Sequence, residues 1–295
     1  MNYLYDRITY IFDPLHYHWE HEKMYRKISV ALVLFFLFYV VLIELKRQGL
    51  LAYAVLDFIP TNHFHAISTA FTVVLILEVI SLVFTLPCSF SKSVGKQFEI
   101  LSLILLRNAF KELENFPEPL IYEGNEEAIL RIVSDGFGAL LIFALLGYYY
   151  IVQARASEEA MRPTDLYAFV AAKKGIALLL LFAFIYMGIG NFFDSLAGRE
   201  HSDFLHQFYT ILILSDILVV LIAQCFQPSF QAMFRNSGFA LSTLMIRIAL
   251  AAPPFFNVLL GLAAAVFAIL LTQISISLFR KRKSATKEVE RATAG

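Results

Sequence analysis

The chain has 295 residues, of which 59% are hydrophobic and 16% are charged, and its formal net charge is zero. Because soluble domains carry roughly 25% charged residues, this composition excludes an ordinary water-soluble domain and indicates an integral protein of the lipid bilayer. The balanced charge argues against nucleic acid as a partner, since nucleic-acid-binding proteins carry a basic excess. Only two cysteines are present, which argues against a disulfide scaffold.

The N-terminal segment, residues 1–27, is predicted to lie at the membrane surface on the cytoplasmic side. It is rich in amphipathic aromatic side chains, which favour the lipid headgroup region. It also contains the candidate metal ligands His16, His18 and His21, because imidazole binds zinc, copper and iron. A single helix or strand cannot place all three on one face, so their spacing matches no metal-site signature.

Long apolar runs predict the membrane-spanning helices. The clearest runs reach or approach the roughly 20 residues that a spanning helix needs, and they cover residues 30–43, 70–86, 140–152, 176–189, 208–224 and 255–278. Two weaker segments, 97–109 and 238–252, each contain an arginine. Backbone amides in lipid must be paired internally, so every span is predicted to be a helix.

The distribution of lysine and arginine decides whether the two weaker segments cross the membrane. If they cross, a basic cluster between the fourth and fifth spans lies on the same side as the N-terminus, and if they do not, it moves to the opposite side. Its members are Arg155, Arg162, Lys173 and Lys174. Because basic residues favour the cytoplasmic side, we predict eight spans with both termini in the cytoplasm, in a multi-pass protein of the inner (cytoplasmic) membrane.

The sequence matches itself at an offset of about 138 residues. The match begins with residues 63–72 against 201–210, and it continues through one helix that contains an acid and another that contains an arginine. The equivalent residues in the two copies are Glu78 and Asp216, Ser102 and Ser242, and Arg107 and Arg247. A pair of prolines follows each arginine, and chance does not readily produce this order twice.

We therefore predict an all-α polytopic membrane protein built from two tandem four-helix repeats. The first repeat covers residues 28–153, a cytoplasmic linker covers 154–173, and the second repeat covers 174–279. The small, charged tail from 280 to 295 is predicted to be disordered. Because each repeat has an even number of spans, the two have the same orientation and form a parallel repeat.

A short pattern of aromatic and charged residues marks the second repeat. It consists of Phe-Gln-Pro-Ser-Phe at 226–230, then Phe234-Arg235, then Ile246-Arg247, with an acid before it and a basic C-terminus. This pattern resembles the PsiE family, which comprises small four-helix membrane proteins induced by phosphate starvation, and the first repeat follows it more loosely. The resemblance implies the four-helix architecture and no particular activity. The fused tandem and the histidine-bearing N-terminal extension depart from the family.

Four charged residues are predicted near the middle of the membrane, and they are Glu78, Arg107, Asp216 and Arg247. At 1.5 Å per helical residue, the first two lie about 17 to 18 Å from their helix ends, and the last two repeat this geometry. A charge at the bilayer centre costs at least ~2.5–3.5 kcal/mol. We therefore expect Glu78 to pair with Arg107 and Asp216 with Arg247. The pairs fit either a path for ions or protons or structural ion pairs that fix helix register.

Other polar residues accompany these pairs. The hydroxyl side chains expected beside them are Ser102, Ser215 and Ser242, although small hydroxyl residues also join membrane helices. Glu99 is a further intramembrane candidate that is expected to pair with Lys96 or to reach the interface. Asp135 and Asn257 are expected to begin the last helix of each repeat as terminal polar residues.

Two more histidines, His63 and His201, occupy equivalent positions at the outer ends of their helices. A symmetric histidine pair can hold a haem, but no Cys-x-x-Cys-His attachment motif is present, so no cofactor is predicted. Nothing in the sequence resembles a catalytic triad, a P-loop or a dinucleotide fingerprint. The sequence therefore points away from an enzyme.

Two functions of different classes stay open. In the first, the protein conducts or transports a small ion or protons through the charged interior of the bundles, and flux depends on Glu78 and Asp216. In the second, it is a non-catalytic subunit that stabilises a larger membrane complex or a homo-oligomer, and mild extraction yields a stoichiometric partner. Binding of haem or a metal ion is a minor third alternative.

Overall fold

The computed structural model describes residues 2–49, 60–118, 121–155, 163–196 and 204–293. These residues form α-helices, and no strand occurs among them. The helices are α1 (Asn2–Glu20), α2 (Glu22–Arg47), α3 (Phe64–Thr85), α4 (Phe90–Lys111), α5 (Glu126–Gln153), α6 (Pro163–Leu196), α7 (Phe204–Phe226), α8 (Phe230–Ala251) and α9 (Phe256–Thr293). A short 3-10 helix, Glu112–Asn115, follows α4 directly.

Six of these helices are long and apolar enough to cross a membrane, and they are α2, α3, α5, α6, α7 and α9. The predicted all-helical class is therefore confirmed, and the apolar helices fit a multi-pass membrane protein. The two weaker segments form α4 and α8, which do not reach the same apolarity over their length. That α4 and α8 also cross the membrane stays a prediction.

Equivalent prolines and serines break the helices in both halves. α3 and α7 end just before Pro87 and Pro228, because a proline has no backbone N–H group with which to continue the helical hydrogen bonds. The next helix then begins at a serine cap. The hydroxyls of Ser89 and Ser229 accept hydrogen bonds from backbone N–H groups three residues on, at 3.5 and 3.3 Å.

Each half of the chain packs its helices in the same order. α2 packs on α3, α3 on α4 and α4 on α5, and α6 to α9 follow the same sequence of contacts. Between the halves, α4 packs against α8 and α5 packs against α9. The largest buried cluster lies among these four helices. The two halves therefore share a central four-helix bundle.

Two glycines allow α5 and α9 to approach closely. A Cβ atom at Gly138 would lie 2.5 Å from the Val258 side chain, and a Cβ atom at Gly261 would lie 2.8 Å from Ile142. Small residues at such crossings let membrane helices pack backbone to backbone. The α5–α9 contact consequently depends on both glycines.

The N-terminal helix α1 docks on α6 and on the last turns of α3. Phe12 is buried with its ring centroid 5.7 Å from that of Phe84, and the Trp19 indole N–H donates to the Ser81 hydroxyl at 2.9 Å. The opposite face of α1 exposes aromatic and apolar side chains, as expected of an interfacial helix. These are Tyr3, Tyr10, Ile11, Leu15 and Tyr17. We call this part of the molecule the α1 end, and the part around His63 the opposite end.

Two helix boundaries differ from the expected segments. α6 begins at Pro163, within the segment expected to be a linker, and α9 continues to Thr293, within the tail expected to be disordered. Both stretches contain alanine and long charged residues, which have high helix propensity. A charged flank can end the apolar part of a helix without ending the helix itself.

Candidate functional site

The first expected ion pair joins α3 to α4. The Arg107 guanidinium contacts the Glu78 carboxylate directly, and the side chains are 24% and 11% exposed. The second oxygen of this carboxylate, Oε2, is buried and has no hydrogen-bond partner within the part of the chain that the structure describes. Leu75, Leu82 and Ile104, one turn away on the same two helices, are buried or partly buried apolar residues.

The second expected ion pair joins α7 to α8 in the same manner. The Arg247 Nε donates to Asp216 Oδ2 at 2.7 Å, and the side chains are 2% and 15% exposed. The Thr243 hydroxyl, one helical turn before Arg247, lies 3.5 Å from the same oxygen. The pairing predicted from the repeat is therefore present in both halves. The arginine of the second pair is more deeply buried than the arginine of the first.

A small polar cavity distinguishes the surroundings of the two pairs. It lies between α4, α6, α7 and α8, and its polar lining comprises Cys88, Ser93, Gln97, Lys173, Asp216 and Thr243. Glu78 and Arg107 do not line this cavity. Of the two acids in the ion pairs, only Asp216 borders it.

Lys173 lines the cavity, although the sequence identified it only as one of the basic residues that indicate the membrane topology. Its side chain is buried, its ammonium donates to the Cys88 carbonyl oxygen at 2.5 Å, and it lies 4.8 Å from the ring centroids of Phe90 and Phe169. Lys174 instead reaches Asp13 of α1, at 2.6 Å. Two adjacent lysines look alike in a sequence, and only the helix packing shows which one points inward.

Gln97 was also missed, because a single amide in an apolar stretch carries no clear signal. Its side chain is buried beside the cavity, and its Nε2 donates weakly to the Ser93 hydroxyl at 3.5 Å. Its Oε1 atom is buried without a hydrogen-bond partner among the described protein atoms. Buried polar atoms of this kind are commonly satisfied by water.

Tyr209 is a buried residue near charged groups of both ion pairs. Its side chain is buried in α7 and lies within electrostatic range of both Arg247 and Glu78. The residue at the equivalent position of the first repeat is Phe71, which has no hydroxyl group. Tyrosine in an apolar run is often an interfacial residue, so the sequence did not single out this position.

The three serines expected beside the pairs bind backbone oxygens instead. Ser102 donates to the Glu99 carbonyl at 2.8 Å, Ser215 donates to the Leu212 carbonyl at 2.7 Å, and Ser242 donates to the Ala264 carbonyl at 3.3 Å. Only the last of these bonds joins two helices, α8 and α9. None of the three hydroxyls donates to a carboxylate of either ion pair.

Glu99 pairs with Lys96 at 2.7 Å, as expected, and also accepts a hydrogen bond from the Tyr150 hydroxyl at 2.5 Å. It therefore fastens α4 to α5. The expectation for Asp135 was wrong, because α5 begins at Glu126, two turns earlier. Asp135 is buried in the α5–α9 contact, where it accepts a hydrogen bond of 2.9 Å from the Asn257 amide.

The N-terminal histidines have separate local roles. His16 lies 3.4 Å from Glu20, His18 Nδ1 lies 3.2 Å from the Pro14 carbonyl oxygen, and His21 caps α2 by accepting from a backbone N–H. Among the described residues, no group of three or more His, Cys, Asp and Glu side chains could hold a metal ion. His201 lies outside the described residues, so the suggested symmetric pair has only one described member.

That member, His63, belongs to an ionic cluster at the opposite end of the molecule. Its backbone N–H donates to Glu118 Oε1 at 2.7 Å, its Nδ1 lies 3.1 Å from Glu118 Oε2, and its Nε2 lies 3.3 Å from Glu44. Arg47 also reaches Glu118, at 3.3 Å. The hydrogen bond from His63 is the main cause that lowers the pKa of Glu118. The cluster ties the end of α2 to the start of α3 and to the loop after α4.

Comparison with known proteins does not assign this chain to a family. No protein-family model, no curated protein and no solved structure matches the chain. Membership of the PsiE family accordingly stays a proposal that rests on the second-repeat pattern. Function is therefore argued from the site itself.

Proposed function

We propose that this integral membrane protein conducts protons through the interior of its helix bundle. Asp216 and Glu78 take up and release the proton, while Arg247 and Arg107 stabilise the charged form of each carboxylate. The observation that carries this proposal is the position of Asp216, which is bound to Arg247 and also lines a polar cavity. An ion pair that only fixed helix register would need no contact with such a cavity.

The geometry suggests an order for the proton-carrying groups. A proton that enters the cavity reaches Asp216 first, because only this acid borders it. Tyr209 is buried within electrostatic range of Glu78 and Arg247, and a phenolic hydroxyl can both donate and accept a hydrogen bond. Tyr209 is therefore the residue we assign to the step between the two ion pairs.

Each carboxylate needs its arginine for a physical reason. A lone buried carboxylate would hold its proton strongly, because the charged form is poorly solvated. A nearby guanidinium favours the charged form and thereby permits release. In such a pair the proton can both enter and leave, which a conductor requires.

We also propose that the α1 end faces the cytoplasm and that the protein resides in the inner membrane with both termini cytoplasmic. Basic side chains are frequent at this end, and cytoplasmic loops carry an excess of lysine and arginine. Examples are Arg7, Lys23, Arg26, Lys27, Lys92, Lys174 and Arg235.

Proton flux into liposomes tests the proposal. The full chain is reconstituted around a pH-sensitive dye, a potassium diffusion potential is applied, and the rate of acidification is compared with that of a Glu78→Gln/Asp216→Asn double variant. We expect the double variant to acidify the liposomes at least tenfold more slowly than the wild type, because neither acid can then carry a proton. Glu99→Gln is the matched control, since Glu99 is an acid of the same bundle outside both pairs.

Equal rates in the wild type and the double variant would contradict the proposal, provided that circular dichroism and gel filtration show both to be folded. Replacement of external sodium and potassium by a large organic cation separates protons from metal cations. If flux disappears when the metal cations are removed, the path carries metal cations and not protons.

One observation favours the second class of function. Only 6% of the apolar window of α2 is buried, whereas the other candidate spans bury 28–39% of theirs. An open helix face fits a helix that docks with a membrane partner or with a second copy of this chain. That function predicts a stoichiometric partner or a homo-oligomer on mild extraction, and no proton flux from the isolated chain.

A further inference from the structure

The polar cavity reaches from the α1 end towards the level of Asp216. Cys88, which is exposed, precedes α4 at that end and lines the cavity together with Asp216. Asp216 lies ten residues before the end of α7 at Phe226, which corresponds to about 15 Å along the helix. A single cavity thus borders both a residue at the end of the bundle and an acid deep inside it.

The lining of the cavity is suited to water. Carboxylate, hydroxyl and amide groups face it from three helices, through Asp216 on α7, Thr243 on α8, and Ser93 and Gln97 on α4. A buried water typically makes about three hydrogen bonds to polar groups that would otherwise be unsatisfied. The buried Gln97 Oε1 is one acceptor of this kind.

Two polar side chains beside the cavity, Thr243 and Lys173, have no counterpart of the same kind in the first repeat. Leu103, exposed on the outside of α4, stands where α8 carries Thr243. The basic residues at the start of α2, Arg26 and Lys27, are exposed, whereas Lys173 of α6 is buried against Phe90 and Phe169. The difference accompanies a difference in packing, since α6 packs against α1, α3 and α7, whereas the described contacts of α2 are with α1 and α3.

We infer that the cavity, which has room for about one or two water molecules, is a hydrated vestibule that opens at the α1 end and delivers protons to Asp216, with Lys173 at its entrance. The Lys173 ammonium lies beside the entrance carbonyl of Cys88. Protons transfer along hydrogen-bonded water in such a passage. The delivery of protons to Asp216 rests on the proposed function, but access of water to the cavity can be measured without any flux.

Silver-ion protection of an introduced thiol tests this access. In a Cys88→Ser/Cys225→Ser background, Thr243→Cys places a thiol on the cavity wall. Proteoliposomes are exposed to Ag⁺ in chloride-free buffer on one side, quenched, denatured and labelled with a maleimide, and mass spectrometry gives the protected fraction. Ag⁺ is small and binds thiolates, which form in a hydrated site. Val219→Cys, on α7 in the same lining, covers the event that the first variant does not fold.

The matched control is Ile246→Cys, which lies almost one turn further along α8 and is buried in the central core. We expect Ag⁺ from the α1 side to protect Thr243→Cys at least tenfold faster than Ile246→Cys, and faster than Ag⁺ from the opposite side. Equal protection of the two thiols, or faster protection from the opposite side, would overturn the vestibule.

The two proposals fail separately. Protection of Thr243→Cys in a protein without proton flux would overturn the proposed function and leave a hydrated cavity. Flux that requires Asp216 in a protein without protection of Thr243→Cys or Val219→Cys would overturn the vestibule and leave the proposed function.

Discussion

The two halves of this molecule each hold an acid and an arginine at equivalent positions but surround them differently. Glu78 and Arg107 lie outside the polar cavity, whereas Asp216 borders it together with Lys173. The repeated pairing shows what the four-helix unit needs in order to hold a charge in the bundle. The cavity beside Asp216 distinguishes the surroundings of this acid from those of Glu78.

The source of this difference lies in the first helix of each half. α6 packs against α1 and α3, and Lys173, in the basic first part of α6, is buried. α2 contacts its own neighbour α3 and the end of α1, and it leaves most of its apolar surface open. The variants below test this difference between the halves, in decreasing order of the expected effect on stability.

The largest effect is expected from removal of an arginine. Truncation of one partner of a buried ion pair costs about 3–5 kcal/mol, because it leaves an uncompensated charge. Arg247→Met should reach this range, since Arg247 is 2% exposed, and Arg107→Met should cost less, since Arg107 is 24% exposed. Thermal and SDS-induced unfolding of both variants measures the difference.

Neutralising the acid as well provides the control for that prediction. Asp216→Asn/Arg247→Met should recover part of the stability lost in Arg247→Met, since no buried charge then lacks a partner. A larger loss for Arg107→Met than for Arg247→Met would reverse the comparison between the halves.

An intermediate effect is expected where the halves meet. Gly138→Ala places a Cβ atom 2.5 Å from Val258, and overpacking of this kind costs roughly 1–3 kcal/mol. Gly136→Ala, on the same helix with nothing within 4 Å of its Cβ position, is the matched control and should be neutral or slightly stabilising. Unfolding in detergent measures both. Equal stability of the two variants would argue against the close α5–α9 contact.

The smallest effect is expected at the opposite end, in the ionic cluster of the first half. The hydrogen bond from His63 holds the pKa of Glu118 below its usual range, so Glu118 contributes stability above the pKa of an unfolded glutamate, about 4.3. That contribution is lost as the pH falls through the lowered folded-state pKa. The melting temperature of Glu118→Gln should therefore lie slightly below that of the wild type at neutral pH, and the gap should close in acid. A constant gap from pH 7 to pH 3 would contradict this linkage.

Much of the scaffold was predictable from residues alone. Apolar run lengths gave the six clear helices, and the self-match identified the acids and arginines that pair in the structure. These features follow from local composition and from the cost of an unpaired charge in lipid. The pairing needed no knowledge of the tertiary fold, because each acid and its arginine lie on consecutive helices.

The surroundings of the pairs were not predictable in the same way. The burial of Lys173 depends on its contacts with Cys88 and Phe90, which lie far away in the sequence, and the exposure of Asp216 to a cavity depends on four helices at once. Asp135 was placed at a helix end because its helix was predicted to begin too late. Sequence periodicity reports which residues share a helix face, whereas long-range packing decides which face meets which.

Proton flux through single variants at Asp216 shows whether this carboxylate carries protons. We predict that Asp216→Asn, which keeps the size and polarity of the side chain but cannot carry a proton, retains less than about a tenth of the wild-type rate, on the scale of effects seen when an acid–base group is lost. Asp216→Glu restores a titratable group and should retain most of the rate. Wild-type flux in a folded Asp216→Asn variant would show that protons do not pass through this carboxylate, and the two ion pairs would then be structural.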